Sequence, residues 1–277
     1  MSRYKIDLQP IFCRTLPFVV FPILILAMLG CSGLNRSVPL GNGSSSGTNT
    51  SGGNGSGTSA AVSGLCGNSY YPVGPNLSKT YRVSSARPAA SDREYTERFS
   101  NITGDAFTVD TDFGAVKAHI NWKCTKDGLL ATQYNNSLEM TKSGASASIE
   151  TLESSGTTLP PEDRWRPGEK WHAEYTVAEN LKGPGGKKIG RGDGTVKQDG
   201  EIVGPDQVTV AAGTFDAIKT QMKTEIEISV NVRGVSVPMK VPMQTTAWFA
   251  KGTGMVRSET RTESIGTATS ELVSINR

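Results

Sequence analysis

Runs of alternating apolar and polar residues, rich in β-branched types, dominate residues 80–275, and a period of two belongs to strands with one buried face. Residues 80–84, 94–102, 107–113, 116–124 and 129–134 read as strands, punctuated by Gly104, Gly114 and Asp127-Gly128. A second series covers 171–178, 194–203, 208–210, 215–232, 235–249, 255–263 and 268–275, with Arg233-Gly234 as a tight-turn candidate in the longest hairpin. Helical signals are weak: 136–142, and a turn over 161–164 that Pro167-Gly168 ends. The pattern predicts an all-β domain, an antiparallel meander forming a curved sheet or a barrel-like domain.

The first 65 residues follow another pattern. Arg3, Lys5 and Arg14 form a basic start, and 16–29 then runs without a charge. Those 14 residues fall short of the roughly 20 that a helix needs to span a bilayer. Residues 1–30 therefore read as an export signal, with an uncleaved membrane anchor as the alternative. Ala27-Met28-Leu29-Gly30-Cys31 resembles the bacterial lipobox, in which a small residue precedes a cysteine that receives lipid. Leu29 stands where a small residue is usual, which leaves ordinary cleavage open. The resemblance implies acylation (palmitate) at Cys31 and a lipid-anchored domain outside the cytoplasm, in the cell envelope of a bacterium. Residues 31–65 are then the acylated cysteine and a Gly/Ser/Asn/Thr linker, too poor in apolar surface to order itself. The stretch 41–64 would span on the order of 25–30 Å as a coil.

The remaining chain, 66–277, suits one β domain. Formal charge is +3, and loss of 1–30 removes Arg3, Lys5, Arg14 and Asp7, leaving about +1. No basic face suggests nucleic acid. Of four cysteines, Cys13 leaves with the signal and Cys31 carries lipid, so Cys66 and Cys124 stay. An even pair in an exported chain suggests a disulfide, with two free thiols as the alternative.

Trp122, five residues, Gly128 and Leu129-Leu130 match Trp248, five residues, Gly254 and Met255-Val256. A duplicated unit, 66–158 and 159–277, would place Trp122 and Trp248 at equivalent inner positions; chance similarity between hairpins is the alternative. The segments Tyr70-Tyr71-Pro72-Val73, Tyr81-Arg82-Val83-Ser84 and Trp122-Lys123-Cys124 resemble a group of bacterial lipoproteins, TapB-like. So do the Ala212-Gly213-Thr214-Phe215-Asp216 hairpin and Trp248-Phe249-Ala250 with Gly252, Gly254 and Val256. That group is related to broader families of unknown function sharing the Ala-Gly-Thr-Phe hairpin. One departure is Ser78-Lys79-Thr80, where a Gly and a Trp are usual. The resemblance implies an all-β envelope domain and no particular activity.

Catalytic signals are sparse. No Gly-x-Ser-x-Gly nucleophile motif stands in residues 66–277, and His119 and His172 are the two histidines of the chain. Two distant histidines and two paired cysteines make no zinc site, so no metal or cofactor is expected. Asp110 and Asp112 before a glycine turn, and Glu162, Asp163, Glu169 and Glu174, read as surface charge. Residues 183–194, with Arg191-Gly192-Asp193, read as an exposed mobile loop, since no Lys-Ser or Lys-Thr follows as in a phosphate loop. Trp122, Trp171, Phe215 and Trp248 are the core or pocket candidates.

Three functions fit. The first is a non-catalytic binding or scaffolding lipoprotein, its partners a membrane through the lipid anchor and an unknown protein or apolar ligand. The second is a carrier enclosing a lipid or other apolar ligand; the third is a hydrolase with an unrecognised site. A cavity lined from both halves favours the carrier, and a filled core favours the scaffold. Cys31 gives the first prediction. Metabolic labelling with a palmitate analogue is expected to tag the wild type and not Cys31→Ala; equal labelling of both disproves acylation there.

Overall fold

In the computed structural model, which describes residues 64–85, 93–113, 117–134, 146–182, 187–232, 235–263 and 266–277, the alternation is realised strand by strand. The first half supplies β1 (Ser78–Ser85), β2 (Arg93–Ser100), β3 (Ala106–Asp112), β4 (Lys117–Thr125), β5 (Gly128–Ala131) and β6 (Ser146–Gly156). The second supplies β7 (Lys170–Lys182), β8 (Lys188–Val210), β9 (Gly213–Val232), β10 (Val235–Ala250), β11 (Gly254–Thr262) and β12 (Gly266–Asn276). In β4, Ala118, Ile120, Trp122 and Cys124 are buried while the residues between them face solvent. The export signal, Cys31, the linker to residue 63, the 136–142 helix candidate and the Arg233-Gly234 turn lie outside the described residues.

All pairings are antiparallel, and the sheet order is β5-β4-β3-β2-β1-β12-β11-β10-β9-β8-β7-β6. The meander is broken once, where β1 pairs with β12 and joins the two ends of the domain. β5 and β6 are left as the two edges of a nearly closed barrel-like sheet. The chain after β6 laces them, since Leu129 exchanges backbone hydrogen bonds with Leu159 at 2.9 and 3.0 Å. Higher up the seam, Tyr134 N–H donates to Thr151 Oγ1 at 2.8 Å.

Two segments pack together beside this seam. Cys66 and Cys124 form a disulfide, both nearly inaccessible, which staples the entering chain to β4. For the 58-residue separation, chain entropy puts its worth at about 4 kcal/mol. Asn68 donates to the Pro160 carbonyl at 3.0 Å, Ser69 binds Glu162 through N–H and Oγ, and Tyr70 stacks on Trp165 at 4.4 Å. Glu162–Arg164 is a single 3₁₀ turn, where the sequence placed a turn.

Two expectations need correction. Residues 188–194 are paired strand, not loop: Gly190, Gly192 and Gly194 lie opposite Val232, Val230 and Ile228. Glycine permits this approach, because a Cβ on Gly194 would stand 2.2 Å from the Glu227 carbonyl oxygen. Residues 194–203 and 208–210 are likewise one strand, bent at a bulge between Ile202 and Gly204. β6, which the pattern missed, is mostly Ser, Glu and Thr.

Gly200 faces Trp171 directly across β7 and β8, and the indole lies where a side chain would begin. A Cβ there would stand 2.0 Å from Trp171 Cε2. Gly200→Ala is expected to lower stability by about 1–3 kcal/mol in urea melts and to shift tryptophan emission. Gly104→Ala, with open space around it, is the control expected to change neither.

Candidate functional site

The inner face of the sheet is not completely filled. A cavity of about 150 Å³ remains in the lumen, lined from β2, β3, β4 and β5 on one side and from β7, β8, β9, β10 and β11 on the other. Its walls are mostly apolar, set by Trp122, Ile120, Trp171, Phe249, Met222 and Met255. The segments beside the seam reach it too: Tyr71 lies 5.2 Å from the Trp122 ring, and Leu159 joins the lining.

Polar groups interrupt this wall in two ways. Some are paired on the inner side: Thr245 with Thr260 at 3.1 Å, Tyr95 with Ser270 at 3.0 Å, Thr158 with Tyr175 at 3.0 Å. Others on lining residues have no partner: Trp122 Nε1, Trp171 Nε1, Tyr134 Oη, Thr111 Oγ1 and Gln198 Oε1. Buried polar atoms are normally satisfied, so this grouping singles out the cavity wall as the candidate site.

The charge in the wall is Glu97. It stands opposite Lys79 in the β1–β2 register, and both are buried. Lys79 Nζ lies 5.3 Å from the centres of the Tyr71 and Phe99 rings. Burial pushes the Glu97 carboxyl up to about 7, against the pull of Lys79. Burial likewise brings the Lys79 ammonium down to about 8, with Glu97 opposing the fall and Arg277 adding to it. Burial also holds the hydroxyls of Tyr71, Tyr81 and Tyr95 well above the usual tyrosine range, with Glu97 contributing.

Of the four aromatic candidates, Trp122 and Trp171 line the cavity. Phe215 is half-buried and packs against the cluster of Val208, Val210 and Ala217. Trp248 is buried in that same cluster, outside the cavity lining; its Nε1 donates to Asp206 at 2.9 Å, and Lys219 and Arg257 lie 5.4 Å from its ring. Trp122 and Trp248 both occupy the fourth strand of their half, but their side chains serve different places. The cause is local. Trp122 continues the inward phase of Ala118 and Ile120 on β4, whereas on β10 that phase is Thr245, Ala247 and Phe249, which leaves Trp248 on the opposite face.

Glu97, Lys79 and Gln198 were not singled out from sequence. A signal existed for two: Glu97 stands in phase with Tyr95 and Phe99, and Lys79 with Tyr81 and Val83, both at apolar positions of their strands. The histidines lie elsewhere. His119 is exposed and bonded to Asp110, and His172 is exposed and 2.8 Å from Asp199. Among the described residues no three His, Cys, Asp or Glu side chains converge to hold a metal.

The family described as DUF3108-like matches residues 116–270, more than half of the chain. Three solved structures are similar to it. A protein described as exported, with a YmcC-like fold, from Bacteroides fragilis shares 14% identity at a TM-score of 0.42, covering 75% of this chain and 98% of its own. A candidate lipoprotein from Parabacteroides distasonis shares 13% at 0.45, with the same 75% and 98% coverage. The hypothetical lipoprotein YmcC from Escherichia coli shares 9% at 0.35, covering 72% and 84%. No curated protein matches the sequence.

The buried pair sets a pH dependence. Glu97 holds its proton longer folded than unfolded, so its contribution is full below the ordinary value near 4.5 and is lost as pH rises through 7. Lys79 gives up its proton sooner when folded, so its contribution is full above 10.5 and is lost as pH falls through 8. Stability is therefore expected to rise when pH drops from 7.5 to 5. Glu97→Gln is expected to flatten that rise in thermal melts; an unchanged profile removes Glu97 as its source.

Proposed function

We propose that this chain, which belongs to the DUF3108-like family, is a lipid-anchored binding protein of the bacterial envelope that takes a small apolar ligand into its barrel lumen. The observation that carries the reading is the cavity: an apolar space lined from both halves of the sheet. A scaffold has no use for such a space, since each unfilled volume forfeits packing. An apolar cavity of roughly this size is large enough for a single aromatic ring. The ligand is accordingly a small molecule, or one ring or short chain of a larger one.

The anchor is the other part of the proposal. Gly30-Cys31 supports acylation, and the Gly/Ser/Asn/Thr stretch 41–64 supports a tether that stands the barrel off a membrane. The Ala212-Gly213-Thr214-Phe215 hairpin and the Trp248-Phe249-Ala250 segment, both within the family match, support the narrower TapB-like grouping. We retain the non-catalytic reading, because the exposed His–Asp pairs lie outside the cavity lining.

Titration with ethylbenzene, followed by tryptophan emission and calorimetry, tests lumenal binding. One saturable site is expected, and at a hundred times Kd the probe should stabilise the fold by about 2.7 kcal/mol. Ala247→Phe points bulk into the cavity wall and is expected to abolish binding while the domain still melts cooperatively. Absence of saturable binding to the wild type by ethylbenzene and by its ketone analogue acetophenone refutes the reading.

A further inference from the structure

We infer that the lumen selects an uncharged ligand bearing a hydrogen-bond acceptor, a ketone, ester or amide carbonyl on an apolar body. The inference rests on the lumenal binding proposed above and adds the chemistry of the ligand.

Three observations lead there. The first is the character of the unpartnered atoms. An indole N–H can only donate, and Trp122 and Trp171, both residues of the cavity lining, each carry one that is buried without a protein acceptor. The hydroxyls of Thr111 and Tyr134 can add further donors, whereas Gln198 Oε1 is the one unpartnered atom of this set that can only accept. The balance favours a ligand that accepts. These side chains are all more than nine-tenths buried, so bulk water does not compete freely for them.

The second is charge. Among the lining residues there is no lysine, arginine or histidine, and the one carboxyl is Glu97. A carboxylate ligand would meet an acid and no cation of its own to pair with. A cationic ligand would find that acid facing Lys79, which already rests between Tyr71 and Phe99. Entry of either ion strips its hydration without a free counter-charge, and that loss is large. A neutral ligand avoids it.

The third is surface. Tyr71, Tyr95, Phe113, Trp122 and Phe249 present rings to the same space, which suits a flat or slender apolar body.

Four ring compounds of similar size separate these features: acetophenone, ethylbenzene, benzoate and benzylammonium, each titrated into the intact folded domain. Acetophenone and ethylbenzene differ by a carbonyl in place of a methylene. Acetophenone is expected to bind about tenfold tighter than ethylbenzene, the worth of one well-made hydrogen bond, and both more tightly than either ion. Trp122→Phe and Trp171→Phe keep a ring and remove one donor each. At least one of them is expected to narrow the ratio of acetophenone to ethylbenzene affinity, whatever common change the smaller ring makes to both, and an unchanged ratio in both variants removes the indoles as its source. Equal affinity for acetophenone and ethylbenzene overturns the acceptor requirement, and benzoate or benzylammonium binding as tightly as acetophenone overturns neutrality. In both cases lumenal binding survives, whereas failure of all four probes removes lumenal binding itself. Should the tryptophan variants not fold, the ranking of the four probes on the wild type decides alone.

Discussion

Everything inside this domain depends on the pairing of β1 with β12. Ser78 lies opposite Asn276, 198 residues away in the chain, and the ladder continues to Ser85 and Ala268. Every other pairing in the sheet joins consecutive strands. Remove this ladder and two separate meanders remain, β2–β5 with β1 and β6–β11 with β12, each with an inner face open to water. The lumen, the buried Lys79–Glu97 pair and the contact of Tyr95 with Ser270 all lie on surfaces that this ladder brings together. Such a pairing is entropically expensive to form, because a long loop must close before the contact is made. The last strand of the chain is therefore needed before the barrel can close.

The same closure explains why a polar interior persists. β9, β10, β11 and β12 turn Thr220, Thr245, Ser258, Thr260 and Ser270 inward, while β2, β3 and β4 turn in Phe99, Phe107, Val109, Ile120 and Trp122. The hydroxyls find one another or a backbone carbonyl, as Thr220 does at Ala247. Neither wall is long enough in side chain to cross to the other everywhere, so a space is left between a hydroxyl-rich face and an aromatic one.

Much of the fold was legible from local pattern. β4 and β2 alternate cleanly because one face is buried and the other wet, and that contrast is what a period of two records. β6 left no such trace, since Ser, Glu and Thr cover most of it. The glycines of β8 suggested a loop because the close approach that requires them is made by a neighbouring strand. The site was legible only in part. Trp122 and Trp171 were found because large aromatics on strands pack inward. Trp248 is buried as well, but on the face of β10 opposite Thr245, Ala247 and Phe249, so the matching spacing to glycine did not carry a matching phase along the strand. Glu97 and Lys79 broke their strands' apolar phase, but their meeting depends on the register of β1 with β2.

The disulfide bears on mechanics. If the chain is held at Cys31, any tension along the linker enters the domain at Cys66. There the load divides: one path follows the backbone to β1, the other crosses the Cys66–Cys124 bond into β4, which is held by β3 on one side and β5 on the other. The covalent path is the shorter. Pulling on the tether thus loads a strand clamped between neighbours and leaves slack in the segment leading to Ser78, so the ladder that closes the barrel is spared the force.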